Sequence, residues 1–300
     1  MFDWILVIIL AYLFFSLASL GDKLVLNSNS NPKLYVFYVG LLNFLVVLLI
    51  PFFGIKLPGT ESFFWIILTS SVIILGLYAL YFAVSKFEIT RIVPMVGASQ
   101  PMFVLLLSWI FWEYSVIKYS DLWAFVFLLL GSIIISFEKK PQFTKSLLKI
   151  SLLTSFLAAL GFILTKMVFL NQDFINGIIW IGIFNFLFSL IFLYDNNVRE
   201  EIFIKKSGSN KKVIFLIIFT QLSGGIAGIL QNFAIYLAPT SGLPIINALR
   251  GVQYVFLFII TLIFSIFYPK ILKEEISKKV IIQKFTAIIL IITGLTILVL

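Results

Sequence analysis

The sequence predicts an all-α integral membrane protein: ten transmembrane helices in two inverted five-helix repeats. Three observations carry the prediction. The first is composition: 61 % of the 300 residues are hydrophobic and only 12 % are charged, whereas a water-wetted fold draws about a quarter of its residues from Asp, Glu, Lys and Arg. The second is a series of ten apolar runs, each long enough to cross a hydrocarbon core of about 30 Å, which takes about 20 residues at about 1.5 Å each. The third is a set of short motifs in the first half of the chain that return, in the same order, in the second.

In order, the runs extend over Trp4 to Leu26, Leu34 to Phe53, Phe63 to Val84, Ile92 to Trp112, Tyr119 to Phe137, Leu147 to Leu170, Phe174 to Tyr194, Val213 to Leu237, Leu243 to Tyr268, and Val280 to Leu300. They are too long and too rich in Leu and Ile for the alternating strands of about ten residues that build an outer-membrane barrel. Helices remain, because in lipid each backbone N–H and C=O must find its partner within its own segment. Ser16 and Ala18 in the first run imitate a signal-peptidase site, but no Lys or Arg precedes the run, and it is read as a retained span. Trp4, Trp65 and Trp112, near span ends, are read as interfacial anchors.

Lys and Arg set the orientation of such a chain. Of the 22, Lys56 and Lys118 fall in loops on the side of the N-terminus, while Lys23, Lys166 and Arg250 fall within spans; all the others, from Lys33 to Lys284, lie at the opposite face. This bias predicts basic loops in the cytoplasm and both termini outside a plasma (inner) membrane. The net charge of +9 is then topological. It is not a nucleic-acid footprint, which would gather basic residues on one face with aromatics among them. With no Cys and no His, a disulfide framework, a thiolate nucleophile, a zinc cluster and the usual general base are all excluded.

The duplication is read from four matches. Asp22-Lys23-Leu24-Val25 resembles Thr165-Lys166-Met167-Val168, and Gly40-Leu41-Leu42-Asn43-Phe44-Leu45 resembles Gly182-Ile183-Phe184-Asn185-Phe186-Leu187. Phe82-Ala83 followed by Pro94 and Ala98 pairs with Phe233-Ala234 followed by Pro244 and Ala248, and Glu113 with Ala124 and Gly131 pairs with Glu275, Ala287 and Gly294. Five spans per half make the second copy enter the membrane from the opposite side. Residues 1–140 and 141–300 thus form the two repeats, and transporters of this design place their substrate site near the midplane between them.

Ten spans in two halves, each with an acidic residue after the fourth helix and Ala and Gly in the fifth, resemble the EamA-type transporters of the drug/metabolite transporter superfamily. The resemblance covers essentially the whole chain. It implies this ten-helix fold and the transport of a small molecule. The chain departs from the family at Trp112, where a Gly often precedes the Glu, and in its charge bias, which is the reverse of the family's usual termini-inside orientation.

Polar residues on otherwise apolar helices are the candidates for the site. In the eighth span Gln221, Gly224, Gly225, Gly228, Gln231, Asn232 and Tyr236 share a face. Gly224 and Gly228 suit close helix packing, whereas the adjacent amides of Gln231 and Asn232 suit a cavity wall. In the ninth, Asn247, Arg250, Tyr254 and Thr261 follow Pro244 on one face. Arg250 lies about 10–12 Å into the span by helical rise, a position that costs about 2.5–3.5 kcal/mol on insertion scales. It therefore meets a substrate carboxylate or phosphate, for which its planar fork is suited, or it snorkels or pairs with Asp22. Gln100, beside Pro101 in the fourth span, occupies the place of Arg250 in the other repeat. Lys23 and Lys166 either attract anions at the two mouths of a central path or snorkel to the interface. Asn43 and Asn185 are read as interhelical hydrogen-bond partners.

An alternating-access carrier for a small metabolite, such as an amino acid or organic acid, accounts for the repeat, the polar faces and the helix breakers together. No Gly-Lys-Ser/Thr phosphate loop and no cofactor motif is present. A membrane enzyme without His or Cys would need paired carboxylates, and the acids of this chain sit in loops at no pairing spacing. A flippase for lipids or lipid-linked sugars would share the architecture but open its groove sideways to the bilayer.

Overall fold

A computed structural model describes residues 3–25, 31–87, 89–112, 119–136, 144–203, 211–267 and 278–299. Among these, all regular structure is helical. The helices are α1 (Asp3–Val25), α2 (Pro32–Asn43), α3 (Ile50–Phe53), α4 (Thr60–Lys86), α5 (Ile89–Trp112), α6 (Tyr119–Ser136), α7 (Lys145–Asn171), α8 (Phe174–Ser189), α9 (Asn196–Phe203), α10 (Lys211–Leu237), α11 (Leu243–Ala248), α12 (Arg250–Phe267) and α13 (Lys278–Val299). Short 3-10 turns join α2 to α3, extend α8 to Tyr194 and lead into α11. Among the described residues, eight stretches are long and apolar enough to cross a membrane; the apolar cores of α6 and α13, Leu122–Ile134 and Ile282–Ile297, are shorter. Large apolar side chains such as Leu6, Leu48, Phe52 and Ile110 point outward. This is the surface of a membrane-embedded protein, whose outer solvent is hydrocarbon.

The chain gathers into two compact units, each drawing on both halves of the sequence. One is formed by Met1–Asn27, Ser108–Gln142 and Lys211–Leu300, the other by Ser28–Leu107 and Phe143–Asn210. Within each unit a pair of repeated motifs meets reciprocally. A Cβ on Gly182 of α8 would lie 2.6 Å from the Asn43 carbonyl oxygen of α2, and one on Gly40 of α2 would lie 3.2 Å from the Asn185 carbonyl oxygen of α8. In the other unit a Cβ on Gly131 of α6 would lie 3.0 Å from the Ala287 carbonyl oxygen, and one on Gly294 of α13 would lie 3.0 Å from that of Ala124. Small residues let helix backbones approach this closely, which is how spans pack where no hydrophobic effect drives them together.

The same closeness corrects the reading of Asn43 and Asn185 as partners. Backbone against glycine brings the helices together at these residues, and no amide bond joins the two side chains: the Asn185 Oδ1 is buried without a hydrogen bond. Trp4 is also not an interfacial anchor. It is buried, with its ring against Gly242. Lys284 lies not in a basic loop but inside α13, buried, with its ammonium 4.2 Å from the centre of the Phe258 ring. Glu113 and Glu275 lie outside the described residues.

Polar clasps close the α2–α8 pair at both ends. At one end Lys33 Nζ donates to Asp195 at 2.5 Å. At the other the Asn176 side-chain oxygen accepts the Lys56 N–H at 2.8 Å, and Trp180 Nε1 donates to the Lys56 carbonyl at 2.9 Å. Asp173 caps α8 by accepting the Asn176 N–H at 3.0 Å, and this bond holds its carboxyl below the usual carboxylate range. A pKa lowered by folding contributes its full stability above the unfolded value, about 4, and loses it as pH falls from there through the lower folded value. Asp173→Ala is therefore expected to cost about 0.5–2 kcal/mol at pH 7. The gap from wild type should narrow in melts below about pH 4.

Candidate functional site

The ninth span, expected as one helix, is interrupted. Leu249 separates α11 from α12, and the Val252 N–H bonds the Leu249 carbonyl at 2.9 Å instead of continuing the α-helical ladder back to Ala248. The Ala248 carbonyl is taken by the Ser132 hydroxyl of α6 at 2.9 Å, which also lies 2.8 Å from the Leu128 carbonyl of its own helix. Two residues earlier, the Ile246 carbonyl accepts the Tyr12 hydroxyl of α1 at 2.6 Å. Hydroxyls from two neighbouring helices thus satisfy backbone at the break, as an interrupted span in lipid requires. Gly251 allows it: a Cβ there would run into the Ser132 hydroxyl and lie 2.9 Å from Ile291 Cδ1.

Arg250 is the first residue of α12, immediately after the break, and is half-buried. A second bond, Gln253 Nε2 to the Ser19 hydroxyl at 3.2 Å, ties α12 to α1 one turn further on. Both ties join residues 234 apart in sequence, so the two spans run parallel, and the same offset sets Ser16 level with Arg250 (250 − 234 = 16). The Arg250 guanidinium and the Tyr254 hydroxyl both lie within electrostatic reach of the Tyr12 hydroxyl. Asn247, on α11, is buried, and its amide faces the Leu243 carbonyl of its own helix at 3.5 Å. Arg250 and Tyr254 thus share the neighbourhood of Tyr12, while Asn247 turns its amide back to its own helix. Among the residues whose side chains are described, no Asp or Glu lies beyond the first turn of a spanning helix.

Gln231 and Asn232 are half-exposed on α10, in the same unit. Among the described residues their face is not closed by packing: a Cβ on Gly225 or Gly228 would meet none of them within 4 Å, and one on Gly224 would touch Ala18. Gln100 and Lys166 belong to the other unit. Gln100 is buried on α5, beside Ser99, whose hydroxyl lies 2.7 Å from that of Ser155 on α7. Lys166 stands eleven residues along α7 from Ser155, about 16 Å by helical rise, so the structure does not bring it to Gln100. Nor does Lys166 snorkel: only 5 % of it is exposed. The close α4–α7 contact, with Gly161 against Ile73, encloses this part of α7. The side chains of Lys23 and Asp22 lie outside the described residues.

Sequence reasoning missed Ser132, which has no signal of its own beside Gly131, and Gln253, which the helical spacing from Arg250 could have found. Tyr12→Phe and Ser132→Ala are each expected to lower stability by about 0.6–1.7 kcal/mol, the range of interhelical hydrogen bonds in membranes. Since both hold one junction, the double variant should depart from additivity. Strict additivity in denaturant titrations would show that the two bonds act independently.

Fold and site together define a helical, membrane-embedded protein with a cationic side chain at an interrupted span. No family model matches the chain, and no curated protein matches it in sequence. Among solved structures, one described simply as a crystal structure of a protein covers 97 % of this chain and 94 % of its own, with a TM-score of 0.70 at 10 % identity. A likeness at that identity is one of fold.

Proposed function

We propose that the protein is a secondary-active or facilitative carrier, working as an exporter, that moves a small anionic or zwitterionic metabolite such as an amino acid or organic acid by alternating access. The observation that carries this reading is Arg250 at the start of α12, beside a break held by Tyr12 and Ser132. Discontinuous helices at a binding site are the device by which carriers of inverted-repeat design present charge within the bilayer. The reciprocal contacts of Gly40 with Gly182's helix and of Gly131 with Gly294's helix support two inverted five-helix repeats. A two-fold relation makes each copy of a motif face the other, and the EamA-type resemblance is carried by the sequence motifs alone. A guanidinium carried inside a span, with the planar fork that suits a carboxylate, favours an anionic group on the substrate.

The test is flux into proteoliposomes across a panel of amino acids and organic acids, with pH and membrane potential varied. Saturable flux above empty vesicles is expected for carboxylates. Lipid scrambling without solute flux would replace the carrier by a flippase. In a plasma (inner) membrane the Lys and Arg bias sets both termini outside, so a reporter fused after Leu300 should read out there; cytoplasmic activity would reverse the orientation.

A further inference from the structure

Away from Arg250, the end of α8 and the helix that follows it enclose an open groove of about 530 Å³, lined by Leu187, Leu190, Ile191, Leu193, Tyr194 and Arg199. Its size falls within the range of about 300–1,000 Å³ typical of ligand sites, but its form is unlike an aqueous pocket. The floor is aliphatic and faces outward, with Leu187 and Ile191 exposed on a span that lies in hydrocarbon. The far end carries Tyr194, exposed where the span stops, and the exposed guanidinium of Arg199 on α9. Aromatic residues at this level mark the headgroup region. The helix α9 is rooted by buried Val198, so Arg199 is held at the groove by a fixed element, and its guanidinium is oriented by a bond to Asn196 Oδ1.

The acids nearby do not cancel this charge. Asp195 is engaged by Lys33 at 2.5 Å and by the Asn197 N–H at 2.9 Å. Glu200 and Glu201 follow Arg199 by one and two residues, positions that do not face it on a helix. An open groove with aliphatic side chains along a lipid-facing span and an oriented guanidinium where the span stops matches an anionic amphiphile in charge and in polarity.

We propose that this groove seats one anionic phospholipid, with an acyl chain along Leu187, Leu190 and Ile191 and its phosphate at Arg199. The occupant is a lipid and not a free phosphate, because Leu187 and Ile191 of the lining face outward on an apolar span. The purified full-length protein in detergent would be given dioleoyl-phosphatidylglycerol or dioleoyl-phosphatidylcholine, and retained lipid counted by native mass spectrometry alongside thermal unfolding. Phosphatidylglycerol should be retained in preference and raise the unfolding temperature more. Arg199→Ala should cut that preference about fivefold, the worth of one basic residue at an anionic surface. Arg199→Lys should keep most of it, and Lys86→Ala, at an exposed lysine on another helix end, should leave it intact. Equal retention of the two lipids by wild type, an undiminished preference in Arg199→Ala, or displacement of the lipid by glycerol 1-phosphate would each overturn the proposal. Should Arg199→Ala fail to fold, Ile191→Asp, which sets a like charge on the outward floor, reads the same preference.

Discussion

Arg250→Ala is expected to abolish saturable transport while leaving the folded protein as stable as wild type, or more so. The two halves of that expectation have separate causes. An arginine at mid-depth costs about 2.5–3.5 kcal/mol on insertion scales, and its removal relieves the spans of that cost. Losing the partner of a buried substrate anion costs about 2–5 kcal/mol, or roughly thirty-fold to several thousand-fold in affinity at 1.4 kcal/mol per tenfold. Arg250→Lys keeps the charge but not the planar fork, and should recover part of the affinity. The measurement is a pair: flux in proteoliposomes, and the melting temperature of the same preparation. A lowered melting temperature with unchanged flux would make Arg250 a structural residue, and the carrier reading would lose its site.

Gly182→Leu should fail to assemble or melt far below wild type. Already as alanine the new Cβ would stand 2.6 Å from the Asn43 carbonyl oxygen, which is backbone and cannot swing aside as a side-chain tip can. Overpacking a rigid contact costs about 1–3 kcal/mol and sometimes more, and here the whole α2–α8 approach must widen. Gly228→Leu is the contrast. With no atom within 4 Å of its Cβ position, it should fold normally and reveal itself only in transport, if that face lines the substrate path. Heating followed by size-exclusion separates the two; equal loss for both variants would mean that glycine flexibility, not closeness, matters at these sites.

Much of the architecture could be read before any coordinates, because a bilayer leaves few choices. Runs such as Phe63 to Val84 or Leu147 to Leu170 have no soluble alternative, and the observed helices Thr60–Lys86 and Lys145–Asn171 differ from them only at the ends. The recurrences of Gly40 with Asn43 and of Ala124 with Gly131 were visible as spelling, and so was the face that carries Asn247, Arg250 and Tyr254. Lys284 and Trp4 escape sequence reasoning for one reason: nearness to a span end says nothing of what the neighbouring helices bury, and here Phe258 and the Gly242 turn cover them.

Sequence alone determined that this chain is membrane-embedded and that its spans are helical, since these follow from composition and from backbone hydrogen bonding, which are local. Only the tertiary structure decided that the helix is broken at Leu249, that Tyr12 and Ser132 hold the break, and that Gly40 and Gly182, like Gly131 and Gly294, face one another's helices. Those contacts join residues more than a hundred positions apart, and no periodicity within a single helix encodes which distant hydroxyl will reach a carbonyl that the ladder has released.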